Sequence, residues 1–107
     1  MGSSRLDVRT FPADARGLLG FQLRMVQAGE RPLDWKPMSS VGPGVVELRV
    51  HIGGEFRLVY VARFREAVYV LHCFRKKTQK TPQADLELAK RRFREVLELR
   101  REEGFES

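Results

Sequence analysis

The chain has 107 residues, of which 42% are hydrophobic and 32% charged, a length that suits one domain and a composition that excludes wholesale disorder. Cys73 is the single cysteine, which excludes an internal disulfide framework, and with only His51 and His72 beside it the side chains for a zinc cluster are missing. Lys and Arg outnumber Asp and Glu by 20 to 14, and the excess is local: residues 56–81 hold 7 basic groups against one acidic group, Glu66, a concentration that points to a phosphate-bearing partner.

Taken in chain order, residues 1–5 read as a flexible leader, and the N-terminus lacks the charged-then-apolar order of a signal peptide. Leu6–Phe11 alternates weakly and suits an edge strand. Thr10 and Pro12 suit a helix start, because proline is tolerated in the first turn. At 100° per residue, Ala15, Leu18, Leu19, Phe21, Leu23, Met25 and Val26 span a broad apolar arc, and Gly29 ends the helix. Residues 30–44 contain Pro32, Pro37, Pro43, Gly42 and Gly44, which predicts a long loop with at most one helical turn. Lys36 stands there on a backbone stiffened by Pro37.

Three strands follow, over Val45–Ile52, Glu55–Phe64 and Ala67–Arg75. The first alternates Val46, Leu48, Val50 and Ile52 against Glu47, Arg49 and His51. A two-residue loop at Gly53-Gly54 would place Arg57 on the face of Val50. A three-residue loop, pairing 52 with 56, instead joins Phe56, Leu58 and Tyr60 to the apolar face, and a slip of one residue would exchange the faces. A two-residue turn at Arg65-Glu66 then sets His72 opposite Val59 and Phe74 opposite Arg57. Thr81 and Pro82 are expected to cap and open a last helix, whose buried stripe is Leu86, Ala89, Phe93, Val96 and Leu97. No apolar run nears the roughly 20 residues of a membrane helix. The expected fold is α+β, ordered β-α-β-β-β-α. One domain covers 6–103, 104–107 form a tail, and a small antiparallel sheet has one face on a helix and the other partly open. The open face carries Glu47, Arg49, His51, Arg57, His72 and Phe74, and the basic loop from Arg75 to Lys80 leaves its end.

Such a face holds the parts for RNA cleavage without a metal. Arginine and lysine bind phosphate and stabilise charge that develops on it, a carboxylate or histidine moves a proton, and Phe74 offers a ring on which a base can stack. RNA supplies its own 2′-hydroxyl nucleophile, so no cofactor is expected. Each residue also has a plainer reading. Glu47 and Arg49 pair across strands, His72 packs in the core, Cys73 points inward and is inert, and the lysines form a solvated run.

Several motifs recur in a fixed order. They are Phe11-Pro12, Gln27-x-Gly29-x-x-Pro32, Lys36-Pro37, Gly42-x-Gly44-Val45-x-Glu47-Leu48-Arg49 and Arg57-x-x-Tyr60, then Leu71-His72-x-Phe74-x-Lys76-Lys77-x-x-Lys80-Thr81-Pro82. In this the chain resembles the HigB-like, phage-derived branch of the RelE/ParE toxin superfamily over about residues 6–103. The resemblance implies a RelE-like fold and the toxin of a type II toxin–antitoxin module. That toxin would be a cytoplasmic, metal-independent endoribonuclease, an mRNA interferase that cuts mRNA in the ribosomal A site and is held by a helix-turn-helix antitoxin. It also implies catalytic roles for Arg57, Lys76, Lys77, Glu47 and His72, with RNA contacts from Lys36, Arg49, Phe74, Arg75 and Lys80. The C-terminus, Glu102-Glu103-Gly104-Phe105-Glu106-Ser107, departs from the basic-aromatic tail of some relatives. Two alternatives stay open: a gyrase-targeting toxin of the same fold, and a non-catalytic RNA-binding or phage accessory domain.

Overall fold

The computed structural model describes residues 11–77 and 82–105. The strand expected over 6–11 therefore lies outside the described residues save for Phe11, as do Thr10, Lys80 and Thr81. The described elements are α1 (Ala13–Gln27), β1 (Trp35–Pro37), β2 (Val45–His51), β3 (Glu55–Val61), β4 (Tyr69–Lys76) and α2 (Gln83–Glu102). The four strands form one antiparallel sheet in the order β1-β2-β3-β4. This is a small α+β fold, as expected.

The sheet separates two cores. Leu48, Val50, Phe56, Leu58, Tyr60 and Cys73 pack on Ala15, Leu19 and Val26 of α1. Val45, Val59, Val61, Leu71 and Phe74 pack on Ala89, Phe93 and Val96 of α2. The alternation thus predicted which residues share a face. It did not predict that α2 covers His72 and Phe74 on the second face, nor that Glu47 and Arg57 are buried there rather than open.

Four local expectations are corrected. Pro82, not Thr81, holds the cap position before α2. The β2–β3 register pairs His51 with Glu55 and Val50 with Phe56, two residues from the expected pairing. A shift of two preserves the faces, the loop keeps three residues but moves to 52–54, and Gly53 and Gly54 supply its positive φ angles of 67° and 149°. The β3–β4 connection is a loop over 62–68 rather than a two-residue turn. The expected pairs Val59–His72 and Arg57–Phe74 nevertheless form, because a register shift between Val59 and Tyr60 absorbs one residue of β4. That shift lets the neighbours Leu71 and His72 both reach toward α2. Finally, the segment 30–44 is not all loop. Trp35–Pro37 adds a short edge strand to β2, and its pairing sets Lys36 opposite Glu47. Proline is tolerated there because an edge strand leaves one side of its backbone free.

Helix α1 departs from its apolar arc at one place. Gln22, not Phe21, completes the buried spacing 15, 19, 22, 26, while Phe21 is exposed. The Gln22 Oε1 accepts the Leu33 backbone N–H at 2.7 Å. This bond satisfies the buried amide and ties the loop before β1 to the helix.

Candidate functional site

The site grows from Glu47, in the middle of β2. Its carboxylate is fully buried, and three cations approach its Oε1: Arg49 Nε at 3.5 Å, Arg57 Nε at 3.6 Å and Lys36 Nζ at 3.8 Å. Sheet geometry dictates this cluster. Lys36 faces Glu47 across β1–β2, and Arg49 faces Arg57 across β2–β3. Like charges directly opposite repel, and Glu47 supplies the counter-charge between them. The Glu47 oxygens and the Nε atoms of Arg49 and Arg57 have no hydrogen-bond partner among the described residues. Three cations therefore meet one carboxylate only at ion-pair distance, with Lys76 near enough to feel its charge, a positive patch organised before any ligand arrives.

The patch opens at one corner. Arg57 is 6% exposed at its side chain, Arg49 28% and Lys36 40%. Lys76 completes it from the end of β4, where it pairs with Glu55. Partial burial, and then the neighbouring Arg57 guanidinium, hold the Lys76 ammonium below the ordinary lysine value. Such an ammonium gives up its proton more readily than a free lysine.

Arg57 is gripped at its outer end as well. Its Nη1 donates to the Phe56 carbonyl at 3.2 Å and its Nη2 to Glu55 Oε1 at 3.1 Å. The other Glu55 oxygen, Oε2, is 2.6 Å from His51 Nδ1, and His51 Nε2 is 2.6 Å from Asp34 Oδ2. Asp34 and Glu55 in this chain of contacts carry no catalytic signature in the sequence, and His51 is legible only as one polar face residue. No group of three His, Cys, Asp or Glu side chains among the described residues is arranged to hold a metal ion.

His72 lies in a separate network on β4. Arg92 Nη1 donates to the Leu71 carbonyl at 3.0 Å and lies 3.2 Å from His72 Nδ1, while His72 Nε2 is 2.6 Å from Asp85 Oδ1. An arginine only donates, so Nδ1 accepts and Nε2–H donates to Asp85. Both ring nitrogens are thus engaged, and the ring stacks on Phe74 with centroids 5.4 Å apart. Arg92 and Asp85 were missed in the sequence because each reads as one more charge on a solvated helix face.

The structure brings Lys36, Glu47, Arg49, Arg57 and Lys76 together. It sets Arg75 on the opposite face, where its Nη2 donates to the Gly53 carbonyl at 3.3 Å and its guanidinium lies over the Phe56 ring. Lys77 is exposed just beyond β4. Phe74 is buried, lining with His72, Arg75 and Asp85 a groove of about 270 Å³ beside β4.

Comparison with family models matches residues 7–94 to the phage-derived protein Gp49-like family (DUF891). Comparison with curated proteins finds no match.

Proposed function

Because the chain belongs to the Gp49-like family of phage-derived proteins, a family related to RelE-type toxins, we propose that it is a HigB-like toxin that cuts translated mRNA in the ribosomal A site. The observation that carries this reading is the cation cluster around the buried Glu47. Three cations meet one carboxylate and Lys76 lies beside them, so the cluster keeps a net positive charge suited to the scissile phosphate.

In this reading the 2′-hydroxyl attacks the adjacent phosphate, the P–O5′ bond breaks, and the products carry a cyclic phosphate and a free 5′-hydroxyl. Arg57 holds the phosphate and stabilises the charge that develops on it. Lys76, with its lowered pKa, donates a proton to the leaving 5′-oxygen. Lys36 and Arg49, on the exposed side, bind the flanking backbone, with the exposed Lys77 extending the contact. Phe74, buried against His72, packs the core and is not assigned a base. Glu47 is buried beneath the cations and acts by holding them in place. His72 positions the end of β4 through Asp85 and Arg92 rather than moving a proton. The 2′-hydroxyl proton is taken by the ribosome or the RNA itself. The partners are the ribosome and a helix-turn-helix antitoxin, and the site of action is the cytoplasm. No described helix is long and apolar enough to cross a membrane.

The engagement of His72 and the burial of Glu47 favour one second reading, a phage accessory protein that binds RNA without cutting it. Purified protein added to ribosomes stalled on a defined mRNA separates the two. Primer extension gives a new stop within the A-site codon if the first reading holds, and none if it fails.

A further inference from the structure

His51 stands between two carboxylates, and both of its ring nitrogens touch carboxylate oxygens at 2.6 Å. A neutral imidazole donates one hydrogen bond and offers a lone pair on its other nitrogen. It satisfies one of these carboxylates and repels the other. Only the imidazolium satisfies both, so this geometry is that of a protonated ring. Its surroundings agree. From the loop before β1 comes Asp34, whose backbone carbonyl also accepts the Arg49 N–H at 2.9 Å. From β2 comes Arg49, with Nη1 4.0 Å from Asp34 Oδ1. From β3 come Glu55 and Arg57. The hydrogen bond to Asp34 first, and that to Glu55 second, raise the His51 pKa above the ordinary 6.5. His51 first, and Arg57 second, lower that of Glu55.

Glu55 is the shared element. One oxygen receives His51 and the other receives Arg57 Nη2. An incoming phosphate competes with Glu55 for that nitrogen. We infer that His51 is a positioning residue for Arg57: acting through Glu55, its imidazolium loosens the carboxylate's hold on the guanidinium, so that Arg57 passes to a phosphate. Loss of the proton leaves Glu55 uncompensated, tightens its grip on Arg57, and weakens phosphate binding. The inference rests on the proposed function only in taking Arg57 as the phosphate-holding group.

The test uses the full chain and a short 2′-O-methyl oligoribonucleotide, which binds but lacks the nucleophile for cleavage. Fluorescence anisotropy is read at fixed ionic strength from about pH 6 to pH 9, the range in which a raised histidine titrates. For the wild type the affinity falls about fivefold or more as pH rises through the His51 midpoint. In Glu55→Gln the affinity is high and this step disappears, because Arg57 has no carboxylate to escape. In His51→Gln the affinity is low at both ends and flat. A step that survives unchanged in Glu55→Gln overturns the inference, since His51 would then act by charge alone. A step that survives in His51→Gln overturns it too, by assigning the titration elsewhere. If the oligonucleotide does not bind at any pH, the phosphate-site reading fails, and NMR of the free protein still decides the coupling. The Arg57 Nε–H resonance shifting with the His51 midpoint, above 6.5, supports it, and an Arg57 resonance indifferent to His51 overturns it.

Discussion

Arg57 Nε lies 3.6 Å from Glu47 Oε1, with both side chains buried and neither atom hydrogen-bonded to a described residue. The pair ties function to stability. The group that best suits a scissile phosphate is also the most buried of the cations matched to a buried negative charge.

Arg57→Ala therefore does two things. It removes the phosphate-holding group, and it leaves Glu47 short of a counter-charge at a cost of about 3–5 kcal/mol. Arg57→Lys separates these effects. It keeps the charge beside Glu47 but loses the forked donors. Thermal unfolding is expected within a few degrees of wild type, while RNA cleavage falls about a hundredfold or more.

Glu47→Gln keeps the shape of the side chain and removes its charge. The patch gains one net positive charge, so RNA binding tightens and its salt dependence steepens by about one unit. The cations lose their organiser, so cleavage slows about tenfold or more. Anisotropy across a salt series, set beside a cleavage assay, reads both effects. Tighter binding with undiminished cleavage would give Glu47 no positioning role.

Gly42 contributes through packing alone. A Cβ built on it would lie 2.2 Å from Phe93 Cε2 in the core between sheet and α2. Gly42→Ala is expected to lower stability by about 1–3 kcal/mol, as overpacking does, and urea denaturation measures it.

Glu66 sets the acid limb of stability. Its contact with Arg100 Nε at 2.6 Å lowers its pKa from 4.5 to about 2. A carboxyl depressed in the folded state contributes stability that is complete above its unfolded value and is lost as pH falls through the folded one. Wild-type stability should decline between pH 4.5 and about 2. In Glu66→Gln that decline is shallower, as denaturation midpoints at stepped pH will show.

The legible part of this molecule is whatever alternation writes into the chain. The stripe Val46, Leu48, Val50 gave both the strand and its buried face, and Leu86, Ala89, Phe93, Val96 and Leu97 do pack toward the sheet. Glu47, Arg49 and Arg57 were rightly placed on one face, because parity survives a register error of two residues. Trp35–Pro37 was hidden, since three residues ending in proline carry no periodic signal and become a strand only by pairing with β2. Burial of the charged face was hidden as well. Arg92 and Arg100 are buried on α2, and each is spent on a tertiary partner, Leu71 and His72 for one and Glu66 for the other. A helix pattern alone scores such arginines as solvent-facing. The His51 contacts depend on the loop before β1 and the β2–β3 hairpin meeting in space, which local sequence does not encode.

The most direct measurement of the central claim maps mRNA 5′ ends in bacteria that express the wild type or Arg57→Lys. The account predicts new cuts within translated frames in the wild type, aligned to the codon in the A site and absent from Arg57→Lys. Growth arrest with intact mRNA, or cuts that persist unchanged in Arg57→Lys, would contradict it.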